Sequence, residues 1–120
     1  IISIGENISP KTLTFKELNH RVSSVQKGLS KLEVKKGTIV AGFVPNCAET
    51  VISMLAVSSL GGVWTSCSPD FGANGVVDRF GQVNPHILIT SNGYSYNGKL
   101  FKLEEKVNGV LESIDSGGTK

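Results

Sequence analysis

The chain is expected to adopt an α/β fold, with alternating helices, mostly parallel strands and a β-hairpin near residues 94–101. Three observations predict it. Helix-period and strand-type segments alternate from Thr14 to Thr90, the pattern of parallel strands joined by crossover helices. The strand segments are short apolar runs, as in strands covered on both faces. Asn97-Gly98 then sits between two β-type runs, the strongest short hairpin signal.

Residues 1–13 read as an irregular lead-in, with Pro10 and Lys11 as turn material. The first helix begins at Thr14. Its hydroxyl suits the amide of Glu17, and the Glu17 side chain reaches back, which makes a capping box. Leu13 and Leu18 stand where a hydrophobic staple needs them. Leu18, Val22, Val25, Leu29 and Leu32 then form an apolar stripe at helical spacing. His20 falls off that stripe and reads as a solvated helix residue. The helix should end near Leu32, ahead of the turn Val34-Lys35-Lys36-Gly37.

Ile39-Val40-Ala41-Gly42-Phe43-Val44 is the first strand of the parallel set, and Pro45 stops it. Asn46-Cys47-Ala48-Glu49 reads as a second helix cap with Glu at its third position. From Val51 to Leu60 the helix is apolar on most sides, which predicts burial between two neighbours. Gly61 supplies its C-terminal cap. Residues 63–67 form the second strand and residues 68–72 a loop. Val76, Val77, Phe80 and Val83 mark a third helix that Asn84-Pro85 terminates. Residues 86–90 form the third strand, with His86 a structural residue at its start. Residues 102–113 are helix-like, with Leu103, Val107 and Leu111 in register, and residues 115–120 form a frayed Gly/Ser-rich tail.

A chain of 120 residues can build one modest core or part of a larger one. Hydrophobic residues at 39% and charged residues at 18% argue against disorder. The net charge is +2 and no Lys/Arg run alternates with aromatics, so nucleic acid is not an expected partner. Residues 50–67 carry no charge and approach the length of a membrane span. Several Ser/Thr and the Gly61-Gly62 break make them a buried helix followed by a buried strand, so no membrane is expected either. Cys47 and Cys67 are read as free thiols in a reducing compartment. The first residues show no signal-peptide pattern, and the chain lacks an initial Met, so it reads as a piece of a longer protein.

No GxGxxG, Walker A or paired-His metal motif occurs, so no catalytic or metal-ligating residue is assigned. Gly72-Ala73-Asn74-Gly75 ahead of the third helix can present amides to an anion, but a plain turn explains it better. Residues 61–72 are the most informative. They form a helix–strand–loop passage whose loop leaves the C-terminal end of a strand, where open α/β sheets bind ligands.

The wording of that passage resembles one family. Trp64-Thr65-Ser66-Cys67-Ser68-Pro69-Asp70-Phe71-Gly72 and Asp78-Arg79-Phe80 are similar to the acetoacetate–CoA ligases, a branch of the adenylate-forming acyl-CoA synthetases. Tyr96-Asn97-Gly98-Lys99 resembles the same branch. Thr14-Phe15-Lys16-Glu17-Leu18, Val34-Lys35-Lys36-Gly37 and the stretch from Pro45-Asn46 to Met54-Leu55-Ala56 resemble the superfamily more widely. The resemblance runs from about residue 13 to residue 114. Glu33 departs from it, standing where the family has Gly, as does Thr38-Ile39 in place of Asp-Arg.

The resemblance implies a fragment of an ATP-dependent acid–CoA ligase of lipid and ketone-body metabolism, located in the cytoplasm. Acetoacetate, ATP and CoA would give acetoacetyl-CoA, AMP and pyrophosphate through an acyl-adenylate, with Mg²⁺ serving the complete enzyme. Residues 1–120 would be part of the large N-terminal AMP-binding domain, without its phosphate-loop region or the C-terminal domain. The fragment alone is therefore expected to be inactive, and the missing remainder of its own chain becomes a partner beside the small-molecule substrates. Ser116-Gly117-Gly118-Thr119-Lys120 only superficially resembles the family's phosphate loop and is read as a flexible end.

The resemblance also implies a CoA-binding segment, Tyr96, Asn97, Gly98 and Lys99, in which Lys99 offers a charge to a coenzyme phosphate. A solvated hairpin lysine is the plainer reading. Pro69, Asp70, Phe71 and Gly72 are the candidates for lining the coenzyme or acyl channel, with Phe71 equally suited to plugging the core and Asp70 to capping the turn. Rival readings are an acetate- or propionate-type ligase, a non-catalytic truncated product, and an unrelated nucleotide-binding α/β domain.

Overall fold

A computed structural model describes residues 1–6 and 8–114. Residues 1–13 are not an irregular lead-in. They form an antiparallel pair, β1 (Ile2–Gly5) and β2 (Ile8–Thr12). The pairing is irregular between Ser3 and Gly5, so Pro10 stands where its missing N–H interrupts no regular ladder contact. A proline in a polar strand hid this hairpin from periodicity.

Helix α1 (Phe15–Lys31) starts on the expected capping box: Thr14 Oγ1 accepts from the Glu17 amide at 3.2 Å, and Glu17 accepts from the Thr14 amide at 2.8 Å. The Thr14 hydrogen bonds hold the Glu17 carboxyl below its ordinary pKa. Leu13 and Leu18 pack in one cluster with Ala48 and Ile52, as a staple requires. The helix closes with a Schellman motif, in which Glu33 N–H donates to Ser30 O and Val34 N–H to Leu29 O. Glu33 takes φ 63° there, the left-handed conformation usual for Gly.

Strand β3 (Ile39–Phe43) leads to helix α2 (Ala48–Ser59) and strand β4 (Val63–Cys67). The N-cap of α2 is Cys47 rather than Asn46, so Glu49 misses the capping position. The Thr50 hydroxyl instead donates to Pro45 O at 2.7 Å. Helix α2 is not enclosed on most sides among the described residues: Ile52, Ala56 and Val57 are buried, whereas Met54 and Leu55 are exposed. Helix α3 (Ala73–Gly81) is closed at the expected Asn84-Pro85 stop, where Asn84 at φ 46° donates its N–H to Phe80 O as an αL cap. Then follow β5 (Ile87–Thr90), the hairpin β6 (Gly93–Tyr96) and β7 (Lys99–Lys102), and α4 (Glu104–Ile114). Asn97 and Gly98 make the turn with φ 50° and 73°, the type I′ pattern that Asn-Gly predicts.

Strands β3, β4 and β5 form a parallel sheet in the order β4-β3-β5. Alternation along β3 sends Val40 to one face, with α1 and α2, and Ala41 and Phe43 to the other, with α3 and α4. Gly42 is required by a close approach: a Cβ there would lie 2.5 Å from Trp64 Cζ2. Trp64, prominent in the family wording, is thus a packing residue on the α1–α2 side. The tail expected from Asp115 and the Ser116–Lys120 resemblance lie outside the described residues.

Candidate functional site

The helix leaving β3 packs on one face of the sheet, and the helix leaving β4 packs on the other. Adjacent parallel strands whose connections part in this way leave a crevice at their C-terminal ends, the usual ligand position of an open α/β sheet. A cavity of about 480 Å³ occupies that place. Its walls are residues 45–47 after β3, residues 68–70 after β4, strand β6 with Leu100 of β7, and the first hairpin. The volume is in the range that holds a small molecule or one arm of a larger one.

Of the four channel candidates, Pro69 and Asp70 line the cavity. Phe71 neither plugs the core nor faces the cavity. It is 43% exposed and lies under Arg79, whose guanidinium carbon is 5.6 Å from the ring centroid. Gly72 is the N-cap of α3, and the turn before it is closed by the backbone, Phe71 N–H to Ser68 O. The carbonyls of Pro69 and Phe71 both accept from Lys106 Nζ, at 2.9 Å each.

Of the four hairpin candidates, Tyr96 lines the cavity and Lys99 is exposed beside the turn. The amides of Asn97 and Gly98 donate to the two carboxylate oxygens of Glu6, at 3.0 and 2.9 Å. Consecutive amides that converge on one carboxylate form an anion site by their own geometry. Glu6, 91 residues away in sequence, carries no local signal that could have announced this contact. Lys106 is equally silent, a helical lysine like any other until the fold brings it over the loop.

The acid–base inventory around the cavity is sparse. His86 is structural, as expected: its Nδ1 accepts from the Ile39 amide at 3.4 Å. His20 stays exposed on α1. Both cysteines are free. Burial pushes the Cys67 thiol above its ordinary pKa, with Arg79 opposing, so it suits packing rather than nucleophilic attack. Among the described residues no group of three His, Cys, Asp or Glu side chains is placed to hold a metal ion. No described helix is long and apolar enough to cross a membrane. The charged groups on the cavity wall are Glu6, Asp70 and Lys11.

Comparison with known proteins agrees with the fold. Residues 5–118 match the family model described as AMP-binding enzyme. The chain is 44% identical over 114 residues to the acetoacetyl-coenzyme A synthetase of Rhizobium meliloti, covering 95% of this chain and 18% of that relative. It is 35% identical over 116 residues to the malonamoyl-CoA synthetase vrtB of Penicillium aethiopicum, covering 97% of this chain and 16% of the relative. The solved acetoacetyl-CoA synthetase from Streptomyces lividans superposes with a TM-score of 0.90 at 40% identity, over 94% of this chain and 18% of that one. The chain therefore spans less than a fifth of the length of these relatives.

Proposed function

The chain belongs to the AMP-binding enzyme family, and from that premise we propose that it is part of an ATP-dependent acid–CoA ligase that activates acetoacetate. The agreement of sequence and fold with acetoacetyl-CoA synthetases over 94% or more of the chain carries this reading. In the proposed reaction the acid's carboxylate oxygen attacks the α-phosphorus of ATP and pyrophosphate leaves. The coenzyme A thiol, losing its proton, then attacks the acyl carbon and AMP leaves. The reaction belongs to the cytoplasm.

Residues 1–120 then form part of the large N-terminal domain and serve the coenzyme side of the site. Lys99 supplies a cation to a coenzyme phosphate, and the Asn97 and Gly98 amides supply two donors. The Glu6 carboxylate holds both amides in this structure, so a coenzyme phosphate would have to take its place there. Residues 68–72 shape the channel wall. The phosphate loop, the Mg²⁺ ligands and the mobile C-terminal domain belong to the rest of the longer protein, which also covers the apolar outer face of α2 at Met54 and Leu55. The 120-residue chain alone has no adenylation activity on this reading.

One similarity favours a wider acyl class. Acetoacetate and malonamate both carry a carbonyl two carbons from the carboxylate, and the chain is similar to a malonamoyl-CoA synthetase as well. Assays of AMP release by the complete protein with acetoacetate, malonamate and acetate test the assignment. Acetoacetate is expected to give the highest kcat/KM, and preference for acetate would overturn the reading. Within that protein, Lys99→Glu is expected to raise the KM for CoA about tenfold, as loss and reversal of a charge-assisted contact implies. An unchanged KM for CoA would remove Lys99 from the site.

A further inference from the structure

The loop after β4 is held partly by its own side chains, since Pro69 is fully buried and Phe71 lies against Arg79. A further tether is Lys106, on the first part of α4. The ammonium donates to Pro69 O and Phe71 O at 2.9 Å each and lies 5.8 Å from the centroid of the Phe43 ring. The two carbonyls flank Asp70, so the single cation fixes the backbone on both sides of the residue that faces the cavity.

The base of the tether is firm. Leu103, Val107 and Val110 of the α4 region are buried with Phe43, Val76 and Phe80 in one cluster. Lys106 is half-buried at the edge of that cluster, with its head over an aromatic face. Among the described residues it takes part in no carboxylate ion pair. Two of its three donors are on the loop. A compact ammonium with rotatable donors suits two carbonyls of different orientation better than a planar guanidinium does. Hydrogen bonds to a charged donor are about twice as strong as neutral ones.

We propose that Lys106 is a positioning residue for the coenzyme channel, holding residues 69–71 so that Pro69 and Asp70 form its wall. The proposal rests on the assignment of this cavity to coenzyme A, which the previous reading made. Lys106 touches no ligand in this account. It acts through the loop, adding a hold from α4 to those that buried Pro69 and the Phe71–Ser68 turn already give.

The test uses the complete protein with Lys106→Met and Lys106→Arg. Methionine keeps most of the stem over Phe43 and removes the donors. Hydrogen exchange at the Phe71 amide, which bonds Ser68 O, should quicken about tenfold to a hundredfold in Lys106→Met, while the Val110 amide stays as before. The KM for CoA should rise about tenfold, as a displaced positioning group implies, with the KM for ATP unchanged. Lys106→Arg should recover part of both effects. Unchanged exchange at Phe71 would overturn the tether itself, whatever ligand the cavity takes. Faster exchange with an unmoved KM for CoA would overturn the positioning role. If Lys99→Glu raises that KM while Lys106→Met does not, the coenzyme assignment stands and only the role of Lys106 falls.

Discussion

The two ends of the parallel sheet are closed by different means. At the end where the strands begin, main chain bonds main chain for the most part, with His86 Nδ1 and Thr38 Oγ1 also accepting from the Ile39 and Lys35 amides. Gly37 N–H donates to Gly61 O, Val63 N–H to Thr38 O, and His86 N–H to Ile39 O, at 2.8–2.9 Å. Both α1 and α2 finish there in Schellman motifs, the second with Gly61 N–H on Ser58 O and Gly62 N–H on Val57 O. At the end where the strands finish, side chains hold the loops: Thr50 on Pro45 O, Thr90 on Phe43 O, Lys106 on Pro69 O and Phe71 O, and Glu6 on the hairpin turn. The first end is fixed mainly by backbone geometry. The second borrows its geometry from distant side chains and surrounds the cavity, so substitutions there can change binding with little effect on folding.

The largest effect expected from this contrast is at the closed end. A Cβ on Gly62 would meet Val57 Cγ1 at 2.8 Å and two carbonyl oxygens at 3.1 Å, so Gly62→Ala should destabilise by about 2 kcal/mol through overpacking. A chemical-denaturation midpoint equal to the parent's would break the comparison. The matched pair of helix ends gives the next effect. Gly61 and Glu33 occupy the same left-handed position, at φ 75° and 63°. Glu33→Gly should therefore stabilise by about 1 kcal/mol, less the entropy that Gly adds to the unfolded chain. A lower melting temperature for that variant would show that the Glu33 side chain contributes more than its backbone costs. The smallest effect on stability belongs to the open end. Glu6→Gln should change unfolding free energy by less than about 0.5 kcal/mol, as for an exposed substitution. It should still weaken the hold on the turn, read as shifted amide resonances of Asn97 and Gly98. Unshifted amides would mean that the carboxylate does not occupy the turn in solution.

Legibility in the sequence follows the same division. The capping box at Thr14, the limits of β4 and the Asn97-Gly98 turn were all readable because each depends on residues a few positions apart. The first hairpin was missed because Pro10 breaks the usual strand pattern and its residues do not alternate. The cap of α2 was misplaced by one residue because the Thr50 hydroxyl, not Asn46, meets the chain at Pro45. At the candidate site the wording of residues 68–72 and 96–99 was visible, but their separation was not. Phe71 was assigned to a channel or a core, and the fold gave it to Arg79 instead.

From Thr14 onward the amino-acid sequence by itself determined the kinds of element and their order, since caps, periodicity and turn residues act over a few positions, and its wording pointed to the family. Only the tertiary structure decided the strand order β4-β3-β5, which brings the loops after β3 and β4 to one crevice. It alone placed Glu6 on the 97–98 amides and Lys106 under the loop, contacts spanning 91 and 37 residues. Such contacts form only after both partners are fixed by buried apolar surface elsewhere, so no local pattern records them.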